Sequence, residues 1–467
     1  MNKMKFLLPE QKRLLALLGI GTAYLISVHW AYVIFVSPLY DYAGYNYYEH
    51  EVEMYIFGYI VSLLPLCFYR PVRMPSNFGA IVLYSLCYAP GQLMMLFMWF
   101  RSTGSLIAVM LAWMVSMCFI FRSASISFVQ SRCEDNVRTS RMALPHSIGA
   151  EGRAVILALT ISATASTVYL NIGHLSFVNF EDVYDLRFQS VDAGGWTIYG
   201  YLNMWLSYLF IPYYLAIGLV EKRFSAWGIA LGASLIIYMS IGAKAALLLP
   251  LVMFIYDRIL SRKSDVLATI LLCMTCLSVG AGLLDDADFL MTKAMVFLRT
   301  LGVTGWTMTM YYDYFTDNGY TYYTHINGIR QMFSSYTHGN YGLGQLIGME
   351  HSGSVDANFN ANFWASDGLA ALGVFGIFVV TFFVCSVMIL INYVSVSFES
   401  RFVSLLFVGF WSALANGPLT TALVSGGGAM AICLLWINRN RMSGIVPDES
   451  GSEMSDPLAQ AAAARRP

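Results

Sequence analysis

Charged residues are scarce in this chain. Asp, Glu, Lys and Arg together make up 12% of the 467 residues, while hydrophobic residues make up 57%. Because soluble domains carry about 25% charged residues, this composition excludes an ordinary soluble domain. Apolar runs of about 20 residues, the length that crosses a bilayer, recur from one end of the chain to the other. We therefore predict an all-α, polytopic membrane protein of about twelve transmembrane helices with one large periplasmic loop that contains short helices.

Other signatures are absent as well. None of the eight cysteines falls in a predicted outward loop, so no disulfide framework is expected. The connection 122–153 contains no Walker A motif and no dinucleotide-type glycine loop, which argues against ATP-driven transport. The first apolar run has no A-x-A cleavage site and is expected to remain as a signal anchor. No convincing internal repeat is present, which weakens most secondary-transporter interpretations.

Apolar runs and one long polar segment organise the chain. The expected divisions are transmembrane helices 1–9 in residues 1–284, the large periplasmic loop in 285–362, transmembrane helices 10–12 in 363–442, and a disordered cytoplasmic tail in 443–467. The predicted spans lie at approximately 14–36, 54–69, 77–99, 104–121, 154–172, 196–220, 224–242, 243–257, 266–284, 363–393, 402–416 and 418–437.

The few basic residues are unevenly distributed. With the N-terminus placed in the cytoplasm, all but six of the 27 Lys and Arg fall in cytoplasmic segments, and the acidic residues lean outward. This bias satisfies the positive-inside rule. It predicts cytoplasmic N- and C-termini and places residues 285–362 on the outer face. The six outward cations are Arg101, Arg187, Lys244, Lys293, Arg299 and Arg330.

The position of Lys244 tests this orientation. The residues between Lys244 and Asp257 make only about 18 Å of helix, against a bilayer core of about 30 Å. Joining this run to the preceding one would make a tidier helix, but it would invert every later segment. We therefore predict two spans, 224–242 and 243–257, joined by a tight turn at Gly242.

Residues 285–362, which we call the tyrosine-rich segment, are the most informative part of the chain. They include eight tyrosines together with His325, His338 and His351. Long connections that are not of low complexity are usually functional. Aromatic rings interleaved with hydrogen-bonding groups suit sugars, which expose C–H patches between hydroxyls, although an interfacial aromatic belt explains many single tyrosines. Chemistry is therefore expected in this segment.

Cations in the tyrosine-rich segment are the sharper signal. Arg299 lies in an apolar stretch that is expected to form a helix at, or dipping into, the membrane interface. A cation in such surroundings is costly without an anionic partner, and a guanidinium matches phosphate oxygens. Arg299 is therefore predicted to bind phosphate, with pairing to Asp285, Asp286 or Asp288 as the alternative.

Five short runs of the chain form an informative pattern when they are taken together. They are Arg299-Thr-Leu-Gly-Val-Thr-Gly-Trp306, Tyr311-Tyr-Asp-Tyr-Phe315, Tyr322-Tyr-Thr-His325, Asn358-Phe-Asn-Ala-Asn362-Phe-Trp-Ala-Ser-Asp367-Gly, and the turn Gly242-Ala-Lys244. The pattern resembles bacterial oligosaccharide repeat-unit (O-antigen) polymerases of the Wzy type, over about 240–376 for the motifs and over the whole chain for topology. One departure is that Arg330 reaches Gly342 one residue off the arginine-to-glycine spacing of some members. The role of Arg330 is therefore less well supported than that of Arg299.

The resemblance implies a glycosyl transfer at the periplasmic face of a bacterial inner membrane. The donor would be a growing glycan on undecaprenyl diphosphate, and the acceptor a single lipid-linked repeat unit. Its hydroxyl attacks the anomeric carbon while lipid diphosphate leaves. Because the leaving group is already activated, no cofactor is implied. The implied partners are undecaprenyl-diphosphate-linked glycans, membrane lipids and a chain-length regulator protein, with no nucleic acid.

The residues of the motifs permit this reaction. Preorganised cations would hold the diphosphate charge, first Arg299 and then Arg330 and Lys244. His325 and Asp313 are candidates for the general base that deprotonates the acceptor. No His, Asp or Glu spacing argues for a metal site. Sugar binding is assigned to Tyr311, Tyr312, Tyr322, Asn358, Asn362 and Asp367, although the last three could equally cap the following helix.

Two other functions stay open. An O-antigen ligase shares the topology and the lipid-diphosphate leaving group, and composition does not separate it from a polymerase. A lipid-linked oligosaccharide flippase or another transporter should place polar residues within many spans. Because most predicted spans are free of charged residues, we rank the transporter third.

Overall fold

Helices account for all the regular structure in the part of the chain that the structure, a computed structural model, describes. The described residues are 9–127, 149–173, 175–177, 197–262, 264–284, 286–333, 336, 338–339, 341–354 and 363–443. No strand occurs within them, in agreement with the predicted all-α class. The α-helices are Pro9–Ala31, Ser37–Tyr40, Val52–Leu63, Pro75–Val82, Ala89–Met98, Thr103–Ala124, Ala150–Asn171, Thr197–Trp205, Ile211–Val220, Phe224–Ile241, Lys244–Leu260, Val266–Gly282, Asp286–Lys293, Val303–Asn318, Asn327–Phe333, Leu343–Ser352, Trp364–Val394, Ser400–Leu406, Val408–Leu414, Leu419–Val424 and Gly428–Ser443.

Tighter and wider helical turns extend several of these helices. The 3₁₀ turns are Asp41–Ala43 and Leu64–Phe68, and the π-helical turns are Tyr32–Val36, Leu83–Tyr88, Leu206–Phe210 and Ala294–Gly302. π-Helical turns are rare and recur at functional sites. The last one is nine residues long and contains Arg299, so it marks the expected phosphate-binding helix as locally unusual.

Seven helices in the described residues are long and apolar enough to cross a membrane, which identifies a polytopic membrane protein. They are Glu10–Ala43, Pro75–Met98, Thr103–Ala124, Glu151–Asn171, Tyr199–Val220, Phe224–Ile241 and Trp364–Val394. The shorter apolar helices are Val52–Phe68, Val266–Gly282 and Gly428–Arg439. The twelve predicted spans are therefore not reproduced one for one.

The last two predicted spans are both interrupted. Run 402–416 leaves helical geometry at Phe407, where φ is −85° and ψ is 4°. Run 418–437 breaks before Gly428, because Gly427 takes a φ of +73°. Neither interruption changes the hydropathy of the run, so a hydropathy criterion does not detect it.

The predicted turn at Gly242 is present. One helix ends at Ile241, Gly242 takes the left-handed conformation with φ of +61°, and the next helix begins at Lys244. The two helices pack against each other. Glycine suits this position because it adopts left-handed backbone without a Cβ clash.

The predicted span 363–393 is two helical pieces rather than one. Trp364–Val394 leaves helical geometry at Leu372 and Gly373. The chain folds back there so sharply that the backbone of Gly368 leaves no room for a side chain at Gly376. On a straight helix those two residues would be about 12 Å apart. The first piece, which is fully buried, thus lies beside the second.

A helix of the tyrosine-rich segment packs along the centre of the bundle. Val303–Asn318 lies against Ala89–Met98, the second half of the span Pro75–Met98. This span is the most deeply buried of the candidate spans. The approach is closest at Gly305, where a Cβ atom would lie 2.7 Å from the backbone nitrogen of Met95 and 2.9 Å from the carbonyl oxygen of Gly91. This helix of the tyrosine-rich segment therefore packs within the helical bundle.

Two contacts between distant segments define two regions, a basic end around Arg13 and Asp265 and a tyrosine-rich end around Ala43 and Trp306. At the basic end, Arg13 pairs with Asp265 at 3.3 Å. At the tyrosine-rich end, the indole N–H of Trp306 donates to the carbonyl of Ala43 at 3.0 Å. Each contact joins segments that alternation of the predicted spans places on the same side of the membrane.

Candidate functional site

Three side chains of the tyrosine-rich end form a hydrogen-bonded chain. The Nε2 atom of His325 lies 2.9 Å from Oδ1 of Asp367, and Nδ1 lies 2.8 Å from the hydroxyl of Thr321. The His325 and Asp367 side chains are only 9% and 3% exposed. A neutral imidazole satisfies both contacts if Nε2–H donates to the carboxylate and Nδ1 accepts from the hydroxyl. The arrangement thus orients the histidine through a buried carboxylate.

The break in Trp364–Val394 brings these residues together. A helix end leaves carbonyl groups without helical partners. Here the backbone N–H of Thr321 donates to the carbonyl of Ala370 at 3.0 Å, and that of Tyr322 donates to Ala371 at 2.9 Å. The chain before His325 is thereby tied to the helical piece that carries Asp367.

Two tyrosine hydroxyls lie near the Asp367 carboxylate. Burial, followed by the charge of Asp367, raises the pKa of Tyr323 to about 12 and that of Tyr311 well above its usual value. Both hydroxyls are buried, and neither has a hydrogen-bond partner within the described residues. Buried polar groups are rarely left unsatisfied unless they serve a ligand, a water or a strained site. The surroundings of the His325–Asp367 pair therefore offer donors that the fold itself does not use.

Arg299 lies on the π-helical turn Ala294–Gly302, and its side chain is exposed. Its charge is close enough to Tyr45 to oppose the rise in the pKa of Tyr45 that burial causes. Among the cations predicted to face outward, Arg299 alone makes no hydrogen bond or ion pair with the residues that the structure describes. The side chains of its alternative partners, Asp285, Asp286 and Asp288, lie outside the described part of the chain.

Arg101 pairs with Asp313, which the sequence offers as a candidate general base. Its guanidinium donates to both Asp313 and Asp317, two residues of the same helix. These hydrogen bonds raise the pKa of Arg101, and they lower the pKa of Asp317. Asp313 is therefore a partner in a three-residue ion cluster, whereas His325 sits in the buried chain described above.

The other predicted phosphate ligands are already engaged. Arg330 donates to the carbonyl of Gly339 at 3.1 Å and lies over the ring of Tyr336 at 5.0 Å. Lys244 starts a helix that packs mainly against other membrane helices, and it makes an interaction of its own. The structure does not bring either cation together with Arg299.

Lys293 lies on the same helical rod as Arg299, which runs through Asp286–Lys293 and Ala294–Gly302. Unlike Arg299, Lys293 is only 5% exposed. Its ammonium donates to the carbonyl of Gly282 at 3.5 Å and lies 5.4 Å from the centre of the Phe35 ring. It lines a cavity of about 220 Å³ whose other walls are mostly apolar. This rod therefore carries one buried and one exposed cation.

The predicted sugar-binding residues are dispersed. Tyr311 is fully buried, Tyr312 packs on Trp99 with ring centres 4.7 Å apart, and Tyr322 is 66% exposed. Asn358 and Asn362 lie outside the described residues. Tyr322 thus presents an open ring, whereas Tyr311 offers only its hydroxyl next to Asp367.

One helix links the two parts of the site. At its start Trp306 stacks on Tyr45, which adjoins Arg299, with ring centres 6.1 Å apart. Further along, Tyr311 adjoins Asp367. Trp306 and Tyr311 are roughly 7.5 Å apart along the helix at 1.5 Å per residue, and within the described residues no hydrogen bond or ion pair links Arg299 to the His325–Asp367 pair. The site therefore has a cationic part and a buried acid–base part.

Sequence reasoning did not find Thr321, Tyr323 or the engagement of Arg101. Arg101 is recognisable in the sequence as a cation predicted to face outward, but its carboxylate partners lie more than 200 positions away. Thr321 and Tyr323 carry no distinguishing spacing.

Within the described ranges, no three His, Cys, Asp or Glu side chains lie close enough to hold a metal ion.

Comparisons with protein-family models, curated proteins and solved structures find no match to this chain.

Proposed function

We propose that this protein polymerises lipid-diphosphate-linked oligosaccharide repeat units. The observation that carries the proposal is Arg299, an exposed guanidinium that lies on a nine-residue π-helical turn and makes no hydrogen bond or ion pair with the described residues. If this helix lies at the membrane interface as predicted, such a cation is expensive unless it meets an anion. A lipid diphosphate supplies that anion at the membrane interface, together with a tail that remains in the bilayer.

Arg299 would stabilise the departing diphosphate. As the bond from the anomeric carbon to the phosphate oxygen breaks, negative charge grows on that oxygen. A guanidinium placed in advance binds two phosphate oxygens at once and lowers the barrier. Lys293, one turn or more earlier on the same helical rod, adds positive potential from its buried position.

His325 would accept the proton of the attacking hydroxyl. Asp367 holds Nε2–H, so the lone pair of Nδ1 is the basic site. The hydroxyl of Thr321 now occupies that lone pair, and an acceptor sugar hydroxyl would have to take its place. The carboxylate would then stabilise the imidazolium that forms, as in other acid–base pairs of this kind.

The reaction requires a defined orientation in the membrane. We propose about twelve crossings of a bacterial inner membrane, both termini in the cytoplasm, and the tyrosine-rich segment at the periplasmic face. The steep bias of basic residues toward one side supports this orientation. The substrates would be undecaprenyl-diphosphate-linked glycans, a chain-length regulator would be a partner, and no cofactor is needed.

Glycan analysis of a deletion strain separates this function from the alternatives. Loss of a polymerase leaves single repeat units attached to the lipid A core. Loss of a ligase leaves uncapped core and long lipid-linked chains. Loss of a flippase leaves single lipid-linked repeats and no capped core. The proposal predicts the first pattern, with long chains restored by the wild-type gene.

A further inference from the structure

A cavity of about 600 Å³ opens at the basic end, away from the proposed glycosyl-transfer site. Its walls come from four separated parts of the chain. The charged residues that line it are Arg13, Arg73, Arg262, Asp265, Glu399 and Arg401. Four guanidiniums thus face two carboxylates, which gives the cavity a positive excess.

Part of this charge is neutralised by structural contacts. Asp265 accepts the backbone N–H groups of Leu267 and Ala268 at a helix start, the hydroxyl of Tyr69 at 3.1 Å and the guanidinium of Arg13 at 3.3 Å. With these four donors, the carboxylate is saturated. Arg13 and Asp265 therefore form part of the wall.

A second pair is fixed in the same way. Arg401 donates from Nε to Oδ1 of Asp257 at 2.7 Å. The Asp257 side chain is 5% exposed. A buried carboxylate requires such a partner, so Arg401 is committed to it.

Arg73 and Arg262 supply the remaining positive charge. Both are exposed at the rim of the cavity. Arg73 donates only to the backbone carbonyl of Arg262, at 3.4 Å, and the side chain of Arg262 makes no hydrogen bond or ion pair with the rest of the described chain. Glu399, the other carboxylate of the lining, has an interaction of its own. The two rim guanidiniums point to an anionic ligand.

The inner wall of the cavity is apolar, with Phe78, Ile81, Leu260 and Val266 on it. A ligand that fits both surfaces has an anionic head and an apolar body. We propose that the cavity binds an anionic phospholipid, with its phosphodiester between Arg73 and Arg262 and its glycerol and upper acyl chain against the apolar wall. Basic pockets between membrane helices hold phospholipid headgroups in this way. The inference is independent of the proposed glycosyl transfer.

Native mass spectrometry of the full-length protein in detergent tests the site. The protein is titrated with phosphatidylglycerol and, separately, with phosphatidylcholine of the same acyl chains. Arg73→Gln/Arg262→Gln removes the two rim charges. Arg70→Gln/Arg122→Gln removes two exposed charges that do not line the cavity, and Arg73→Lys/Arg262→Lys preserves the charge.

Phosphatidylglycerol should bind the Arg73→Gln/Arg262→Gln variant roughly thirtyfold more weakly than wild type, since each basic residue near a lipid surface contributes about 1 kcal/mol. The Arg70→Gln/Arg122→Gln control should bind like wild type, and the lysine variant should keep most of the affinity, which excludes misfolding as the cause. Equal affinity of wild type and Arg73→Gln/Arg262→Gln overturns the proposal, as does equal binding of phosphatidylcholine. Displacement of the lipid by millimolar inorganic phosphate would assign the site to a soluble phosphate compound and overturn the lipid assignment.

Discussion

The imidazole of His325 and the carboxylate of Asp367 are hydrogen-bonded at 2.9 Å although 42 positions separate them. Both side chains are almost completely buried. A carboxylate on one ring nitrogen fixes the tautomer and directs the other nitrogen toward its partner. The pair thus joins a residue predicted as a general base to one predicted as a sugar ligand.

Removal of the imidazole should slow polymerisation strongly if His325 is the base. His325→Gln is expected to slow transfer by about 10²- to 10⁴-fold, the usual contribution of general acid–base catalysis. Thr321→Val, which removes only the hydroxyl now bound to Nδ1, should leave transfer within severalfold of wild type. The measurement is the rate of chain growth from purified lipid-linked repeat units. Equal rates for His325→Gln and wild type would remove the histidine from the chemistry.

A comparison of rate with folded amount distinguishes catalysis from structure. Asp367→Asn preserves the size of the side chain but removes its charge, so it should stabilise the imidazolium less and slow chain growth at an unchanged amount of folded protein. A purely structural pair predicts a lower amount of folded protein and an unchanged rate per folded molecule. The folded fraction is measured in parallel by gel filtration in detergent.

The close packing at Gly305 should be intolerant of any side chain. A Cβ there would press on the backbone of Met95 and Gly91, so Gly305→Ala should lower stability by about 1–3 kcal/mol, as overpacking does. Gly232 is a matched control on an exposed helical face with no atom within 4 Å of its Cβ position. Gly232→Ala should be neutral or slightly stabilising because alanine favours helix. Thermal unfolding in detergent compares the two, and equal effects would contradict the packing described.

Acid should release the ion cluster of Arg101. Hydrogen bonds from Arg101 lower the folded-state pKa of Asp317, so their stabilisation is present above the unfolded value of about 3.9 and is lost as the pH falls through the folded value. Arg101→Gln should therefore lower the unfolding temperature at pH 7, and the difference from wild type should shrink as the pH falls below the unfolded value. Because Asp317 is largely exposed, added salt should shrink the difference. A deficit that stays constant with pH would show that the charge is not responsible.

Local signals in the sequence were sufficient for parts of the fold. The turn at Gly242 was predictable because a short run, a glycine and a lysine coincide there, and each has a local cause. The break at Gly373 was not, since it depends on the packing of Tyr320 and on two glycines that meet after the chain folds back. Hydropathy averages over such a break, so 363–393 looked like one span.

The candidate site was predictable only in its composition. The tyrosine-rich segment and Arg299 stand out because polar residues and outward cations are rare in this chain. The partners were not predictable, because the pairing of Arg101 with Asp313 depends on how distant helices pack. For the same reason Asp313 looked as suitable a base as His325.

The chain-length distribution of the glycan made by an Arg299→Ala strain tests the central claim most directly. The variant is expressed in a deletion strain, beside wild type and an Arg122→Ala control that removes an exposed arginine from the basic side, with membrane abundance checked by immunoblot. We expect Arg299→Ala to yield single repeat units only, Arg299→Lys to restore part of the length, and Arg122→Ala to give the wild-type distribution. Wild-type chain lengths from Arg299→Ala at normal abundance would contradict the account.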